Sequence, residues 1–422
     1  MTYRILGPGA GERGVSRTPD LVMTDYGVLL ALCLAWFMAT DFPGWRLERI
    51  SFTKHLPGLL GLASFALAWV ATQMAPKPLP SGAIRLNLPW ILLAAFIIAG
   101  SVAARVFLDT RNTFLIAGMY MLWAPVMTFV LLSTRQPERL LRYLAGFMIL
   151  GGILVLLEIA WGYGTRDIQH EKQFLLVPLA LYFVLRPERR AIHWLGALSF
   201  LVMAPLLRKN TAYLMGLLTL SYFVTADQLP RWTKLDPLKR AVRLYGLLLF
   251  VMCAGALIAY LVWNRDKYLP TGNPQFRLFT YARAWERFLE SPLWGTGFSA
   301  AGTEKFTEFN TGVANNILAT HSDVLDMFAN GGLVAIFLWL WGLLRSAKFI
   351  WNAALRPGVK STSLTRYVHL FGCISIGGVL TYAFIPIFLQ PARAMLLWAA
   401  LGVAIGVAAL IQRDQAGLGG RN

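Results

Sequence analysis

The chain has 422 residues, a formal net charge of +18 and a mean hydropathy of +0.55. Apolar side chains make up 57 % of it and charged ones only 14 %, too little polar surface for a soluble domain of this length; a water-soluble globule is excluded. The positive charge is spread over many short loops, a distribution that points to membrane topology and anionic headgroups and away from nucleic acid.

The first twenty residues are Gly-rich and basic (Arg4, Arg13, Arg17), and no cleavage-site pattern closes the apolar run after them, so a retained first span is expected. Apolar windows long enough to cross about 30 Å of hydrocarbon at about 1.5 Å per residue recur about twelve times. The expected spans are 22–40, 56–74, 88–108, 114–132, 140–162, 172–185, 191–207, 211–226, 243–263, 323–344, 367–389 and 391–411. The windows 172–185 and 211–226 are short and imply tilted or partial spans. The expected fold class is an all-α polytopic membrane protein of about twelve spans. Its organisation is nine spans within 1–263, one long loop over 264–322, three spans within 323–411 and a tail over 412–422. Cys33, Cys253 and Cys373 each lie in an apolar run and read as small core residues.

Charge sets the orientation. With both termini in the cytoplasm, 23 of the 39 basic residues fall in inside loops, among them Arg135, Arg139 and Arg142, and Arg231, Lys234, Lys239, Arg240 and Arg243. The long loop then faces outward, which in a bacterial inner membrane is the periplasm. His55, His170 and His321 fall on that face, and His193 and His369 on the cytoplasmic one.

Basic residues on the outer face run against this bias and need another reason to be there. They include Arg105, Arg111, Arg166, Lys172, Arg208, Lys209, Arg277 and Arg393. Arg208 and Lys209 stand in a very short turn between two apolar runs. A guanidinium at a membrane boundary grips phosphate oxygens through a planar fork of donors, or else snorkels to lipid headgroups. Within the long loop, Arg277–Glu290 reads as an amphipathic helix. Leu278, Tyr281, Trp285, Phe288 and Leu289 share one face, and Arg283, Glu286, Arg287 and Glu290 share a solvated one. Ser291-Pro292 ends it. A helix lying on the membrane surface aims Arg277, at the margin of the apolar face, toward the bundle.

His321 precedes a span whose first turn has a capping-box-like pattern from Thr320 to Asp323. The positive end of the helix dipole disfavours imidazolium there and leaves a neutral imidazole able to accept a proton, the state a general base needs. Glu158 sits inside an apolar run near the outer end of its span, where it either holds an arginine in place or hydrogen-bonds as a neutral acid. Outer loops lack clustered carboxylates, so no Mg²⁺ or Mn²⁺ site and no cofactor is expected, and arginines would have to meet the charge of a pyrophosphate.

At these residues the chain resembles the O-antigen ligase family, a group that shares this region with O-antigen polymerases and bacterial protein O-oligosaccharyltransferases. The resemblance is carried by Arg277-Leu278, Tyr281, Ala284 and Phe288, then Pro292-Leu293-Trp294-Gly295-Thr296-Gly297. It resumes at His321-Ser322-Asp323-Val324-Leu325 and Asn330-Gly331-Gly332-Leu333. Ser322 stands where asparagine is common in the family. The resemblance implies metal-independent, inverting transfer of a glycan from undecaprenyl pyrophosphate to the sugar core of lipid A at the periplasmic face. Arg208 and Arg277 would bind the pyrophosphate and His321 would take the acceptor's proton. Lys209, Glu158, Arg166, Arg393 and Ser322 would line the substrate site. Polymerisation and protein glycosylation are the alternatives with the same chemistry; a lipid-linked glycan transporter or flippase is the alternative of another class.

Overall fold

A computed structural model describes residues 27–32, 56–73, 81–103, 113–134, 136–162, 273–298, 322–355, 363–381 and 391–419. Among them there is no strand. After a helical stretch at 27–32 come α1 (Leu56–Gln73), α2 (Ser81–Ala103), α3 (Thr113–Met121), α4 (Trp123–Ser133), α5 (Pro137–Gly162), α6 (Asn273–Glu290), α7 (Asp323–Leu355), α8 (Ser363–Thr381) and α9 (Pro391–Gly419). Four stretches among the described residues are long and apolar enough to cross a membrane: Gly82–Ala103, Phe114–Ser133, Asp323–Ala353 and Ala394–Arg413. The described residues are all-helical, and these four stretches suit a membrane. The expected spans 172–185, 191–207, 211–226 and 243–263 lie outside the described residues, as does most of 22–40.

Several boundaries moved for physical reasons. The second of the four long stretches is one apolar run but two helices, α3 and α4, which part at Leu122. Pro125 has no N–H to offer Met121 and its ring crowds that carbonyl, so the ladder is interrupted there. α2 starts at Ser81, seven residues before the expected 88, although Asn87 and Pro89 lie inside it. Asn87 is fully buried and donates to the Ala83 carbonyl at 3.0 Å, so a polar side chain that looks like a loop residue is satisfied by its own helix. α7 runs to Leu355, beyond the expected 344, and carries Arg345 with its guanidinium 5.7 Å over the Trp341 ring.

Small residues set the packing at the centre. α9 crosses α4 and α8, and Gly402 and Gly406, four apart, let its backbone approach α4 closely. A Cβ at Gly402 would overlap the carbonyl of Ala124. Thr128 of α4 donates to the Gly402 carbonyl at 3.0 Å, with the Ala124 carbonyl equally near. Trp90 of α2 meets Trp398 of α9 edge-on at 5.2 Å and donates from its indole to Ser346 of α7 at 3.1 Å. Three helices are thus tied through one buried indole. Gly402→Leu is expected to destabilise the protein by about 3 kcal/mol or more, because backbone and not a flexible side chain would have to give. Gly146→Leu, which meets only open space, should leave stability nearly unchanged. Thermal unfolding of the two variants in the same detergent checks the contrast.

Candidate functional site

α6 has three faces. Thr280, Ala284 and Phe288 are buried, and Phe288 meets Phe328 of α7 edge-on at 5.3 Å. Arg283 and Glu286 pair at 2.9 Å on an exposed face, a contact contributing about 0.3–0.5 kcal/mol. Trp285 and Leu289, placed on one apolar face with Phe288 by the sequence, are exposed while Phe288 is buried. The apolar arc is wider than the single stripe that one helix neighbour can cover, so only its Thr280, Ala284 and Phe288 side is buried. The helix also starts four residues earlier than expected, at Asn273, which moves Arg277 from the helix start into the second turn. Arg277 precedes Thr280 and Ala284 by three and seven residues, the spacing of the buried stripe.

The turn after α6 is clasped into α7. α7 is broken at Gly332, whose φ of 58° and ψ of −157° belong to glycine alone. In an unbroken helix the N–H groups of Leu333 and Val334 would donate to Ala329 and Asn330. Here they donate to the carbonyls of Pro292 at 2.8 Å and Leu293 at 3.2 Å. The released Ala329 carbonyl accepts from the backbone N–H of Thr296 at 3.0 Å and from its hydroxyl at 3.1 Å. The Pro292–Gly297 turn therefore supplies, from another part of the chain, the hydrogen bonds that the break removes. Gly295 (φ 73°) makes this possible, since a Cβ there would overlap the Asn330 carbonyl. Phe298 completes the clasp, buried edge-on against Phe96 at 5.6 Å and Phe114 at 5.3 Å.

The start of α7 is polar and buried. Ser322, Asp323, Asp326 and Asn330 are all buried. Ser322 caps the helix: its hydroxyl accepts from Leu325 N–H at 3.3 Å and its carbonyl from Asp326 N–H at 3.0 Å. The side-chain cap is thus Ser322, two residues after the Thr320 of the capping-box pattern. Asp323 and Asp326 occupy the first turn, where the helix dipole favours carboxylates. Asn330 donates to the Asp326 carbonyl at 2.8 Å.

His321, Arg208, Lys209 and Arg166 lie outside the described residues. Glu158 is within α5, one turn before its end, and Arg393 is the third residue of α9, a first-turn position that disfavours a cation unless an anion is near. Of the residues proposed from sequence, the structure brings the helix bearing Arg277 and the helix opening at Ser322–Asp323 into direct contact. Sequence reading did not single out Asp326 or the Ala329–Val334 break, although the Gly331-Gly332 pair inside an apolar helix was the available signal.

These elements define a helical membrane protein in which a short amphipathic helix is locked onto a broken span. Residues 173–340 match the family model described as O-antigen ligase, so this part of the chain is similar to the O-antigen ligase family. The matched segment includes α6, the clasp turn and α7 through the Gly332 break. Members of this family are glycosyltransferase-like enzymes of O-antigen and lipopolysaccharide-related glycosyl transfer, with lipid-linked glycans as substrates in a membrane setting. A comparison with curated proteins found no match.

Proposed function

We propose that this protein is an O-antigen ligase, transferring a glycan from undecaprenyl pyrophosphate to the sugar core of lipid A at the periplasmic face of the inner membrane. The observation that carries the reading is the clasp. It ties the helix holding Arg277 to the span that follows His321, two residues that stand 44 positions apart in sequence. The family match supports the reaction class.

In this scheme Arg277 and Arg208 hold the pyrophosphate oxygens of the donor. The acceptor hydroxyl oxygen attacks the anomeric carbon from the side opposite the pyrophosphate, forming the new glycosidic bond. The bond from that carbon to the pyrophosphate oxygen breaks, and its electron pair leaves on undecaprenyl pyrophosphate. His321 takes the hydroxyl proton. The arginines stabilise charge that grows on the leaving group, the role an oxyanion hole plays in acyl transfer. Lys209, Arg166 and Arg393 add positive charge around the same anion. Glu158 orients an arginine, and Ser322 fixes the helix start behind His321.

The test is transfer by purified protein given lipid-linked glycan and lipid A-core. Product on the core is expected, and it should persist in excess chelator. Loss of product on chelation, restored by a divalent metal, would overturn the arginine-only scheme. Lengthened lipid-linked glycan without core product would make the protein a polymerase, a glycosylated protein acceptor would make it an oligosaccharyltransferase, and no covalent product would favour a transporter.

A further inference from the structure

Four large apolar side chains of α6 and the clasp turn are each more than half exposed, Trp285 and Leu289 on the helix and Leu293 and Trp294 in the turn that follows it. We propose that this patch is a membrane-seated surface, buried in the headgroup–acyl boundary of the bilayer.

The first support is continuity with a lipid-facing strip. Leu333, Phe337, Leu340 and Leu344 are exposed on α7 at positions i, i+4, i+7 and i+11, one face of a helix apolar enough to span. Hydrogen bonds from Leu333 and Val334 to Pro292 and Leu293 join the turn to the end of that strip. Exposed apolar side chains thus occur on the span, on the turn bonded to it and on α6.

Depth is the second support. Past the break, Leu333–Leu355 is 23 residues, about 35 Å of helix against about 30 Å of hydrocarbon, so this part can span alone and the turns before the break can lie outside. The charges agree. Asp323, Asp326 and Asn330 precede the break, no charged residue occurs from Gly331 to Leu344, and Arg345 and Lys348 follow. The hydrocarbon boundary falls near Gly332, the level at which the turn is attached. Indole rings favour that boundary, where an apolar body and a polar N–H are both accommodated.

Third, the patch and the charged face of α6 are separated as an interfacial helix requires. The exposed Arg283–Glu286 pair and Glu290 lie roughly 100–160° around the helix from Trp285. A water face, a lipid face and a protein face account for the whole circumference.

The experiment uses the full chain in lipid nanodiscs, with Cys33, Cys253 and Cys373 replaced by alanine. A polarity-sensitive fluorophore is attached in turn at Leu289→Cys, Trp294→Cys and Glu286→Cys, and only monodisperse preparations are measured. Doxyl-labelled phosphatidylcholine should quench the probes at 289 and 294 several-fold more than the probe at 286, and aqueous iodide should show the reverse order. Equal iodide quenching at all three positions would overturn the proposal. So would protection of 289 and 294 from both quenchers, which would show that protein covers the patch. No glycan transfer is read, so the outcome is independent of the catalytic assignment.

Discussion

His321→Ala is expected to lower the rate of glycan transfer by about 10²–10⁴-fold, the range a positioned general base supplies, while expression and donor binding persist. The acceptor is a sugar alcohol, whose oxygen is a poor nucleophile while it keeps its proton. Arg277→Ala should cost about 10²–10³-fold through the leaving group. Arg277→Lys should recover little of this, because an ammonium lacks the fork that meets two phosphate oxygens together. The measurement is initial rate of core-linked product at saturating donor, with donor binding followed separately. If His321→Ala transfers at the wild-type rate, proton removal lies elsewhere and the base assignment fails. If Arg277→Lys is fully active, the site needs only charge.

Span positions were legible where hydrophobic length alone decides them. α1 and α5 fall within three residues of the expected 56–74 and 140–162, because apolar runs there end in plain polar or glycine signals. Boundaries failed where a polar side chain is satisfied within its helix, as at Asn87, or where a cation reaches out from a span, as at Arg345. The α6 amphipathicity was readable, and so was its end at Ser291-Pro292. Its division into protein-facing and exposed apolar sides was not, since periodicity gives an arc and only a neighbour decides which part of it is covered. The clasp was the least legible feature. Pro292 to Gly297 and Asn330 to Leu333 are two of the strings that carry the family resemblance, but hydrogen bonds between segments about 40 residues apart leave no periodic trace.

The clasp can be tested through its glycines. Gly332→Ala places a Cβ 2.6 Å from Gly295 N and the Leu293 carbonyl, in a backbone conformation that costs a non-glycine residue about 1–3 kcal/mol before any clash. Gly295→Ala drives a Cβ into the Asn330 carbonyl and cannot be relieved by a rotamer change. Releasing the turn would leave the N–H groups of Leu333 and Val334 and the carbonyl of Ala329 without partners at the edge of the hydrocarbon, at about 1–3 kcal/mol for each buried group. Both substitutions are therefore expected to lower the thermal unfolding midpoint clearly and to reduce transfer, since α6 loses its register on α7. Gly297→Ala separates the two causes. Its φ of 82° is similarly unfavourable for alanine, yet a Cβ there meets nothing within 4 Å, so a milder loss limited to backbone strain is expected. Equal losses for Gly297→Ala and Gly295→Ala would mean that backbone strain, not the close approach to Asn330, is what the turn glycines serve. Wild-type stability and transfer in Gly295→Ala would mean that the loop helix is held against the span by something other than this exchange of hydrogen bonds.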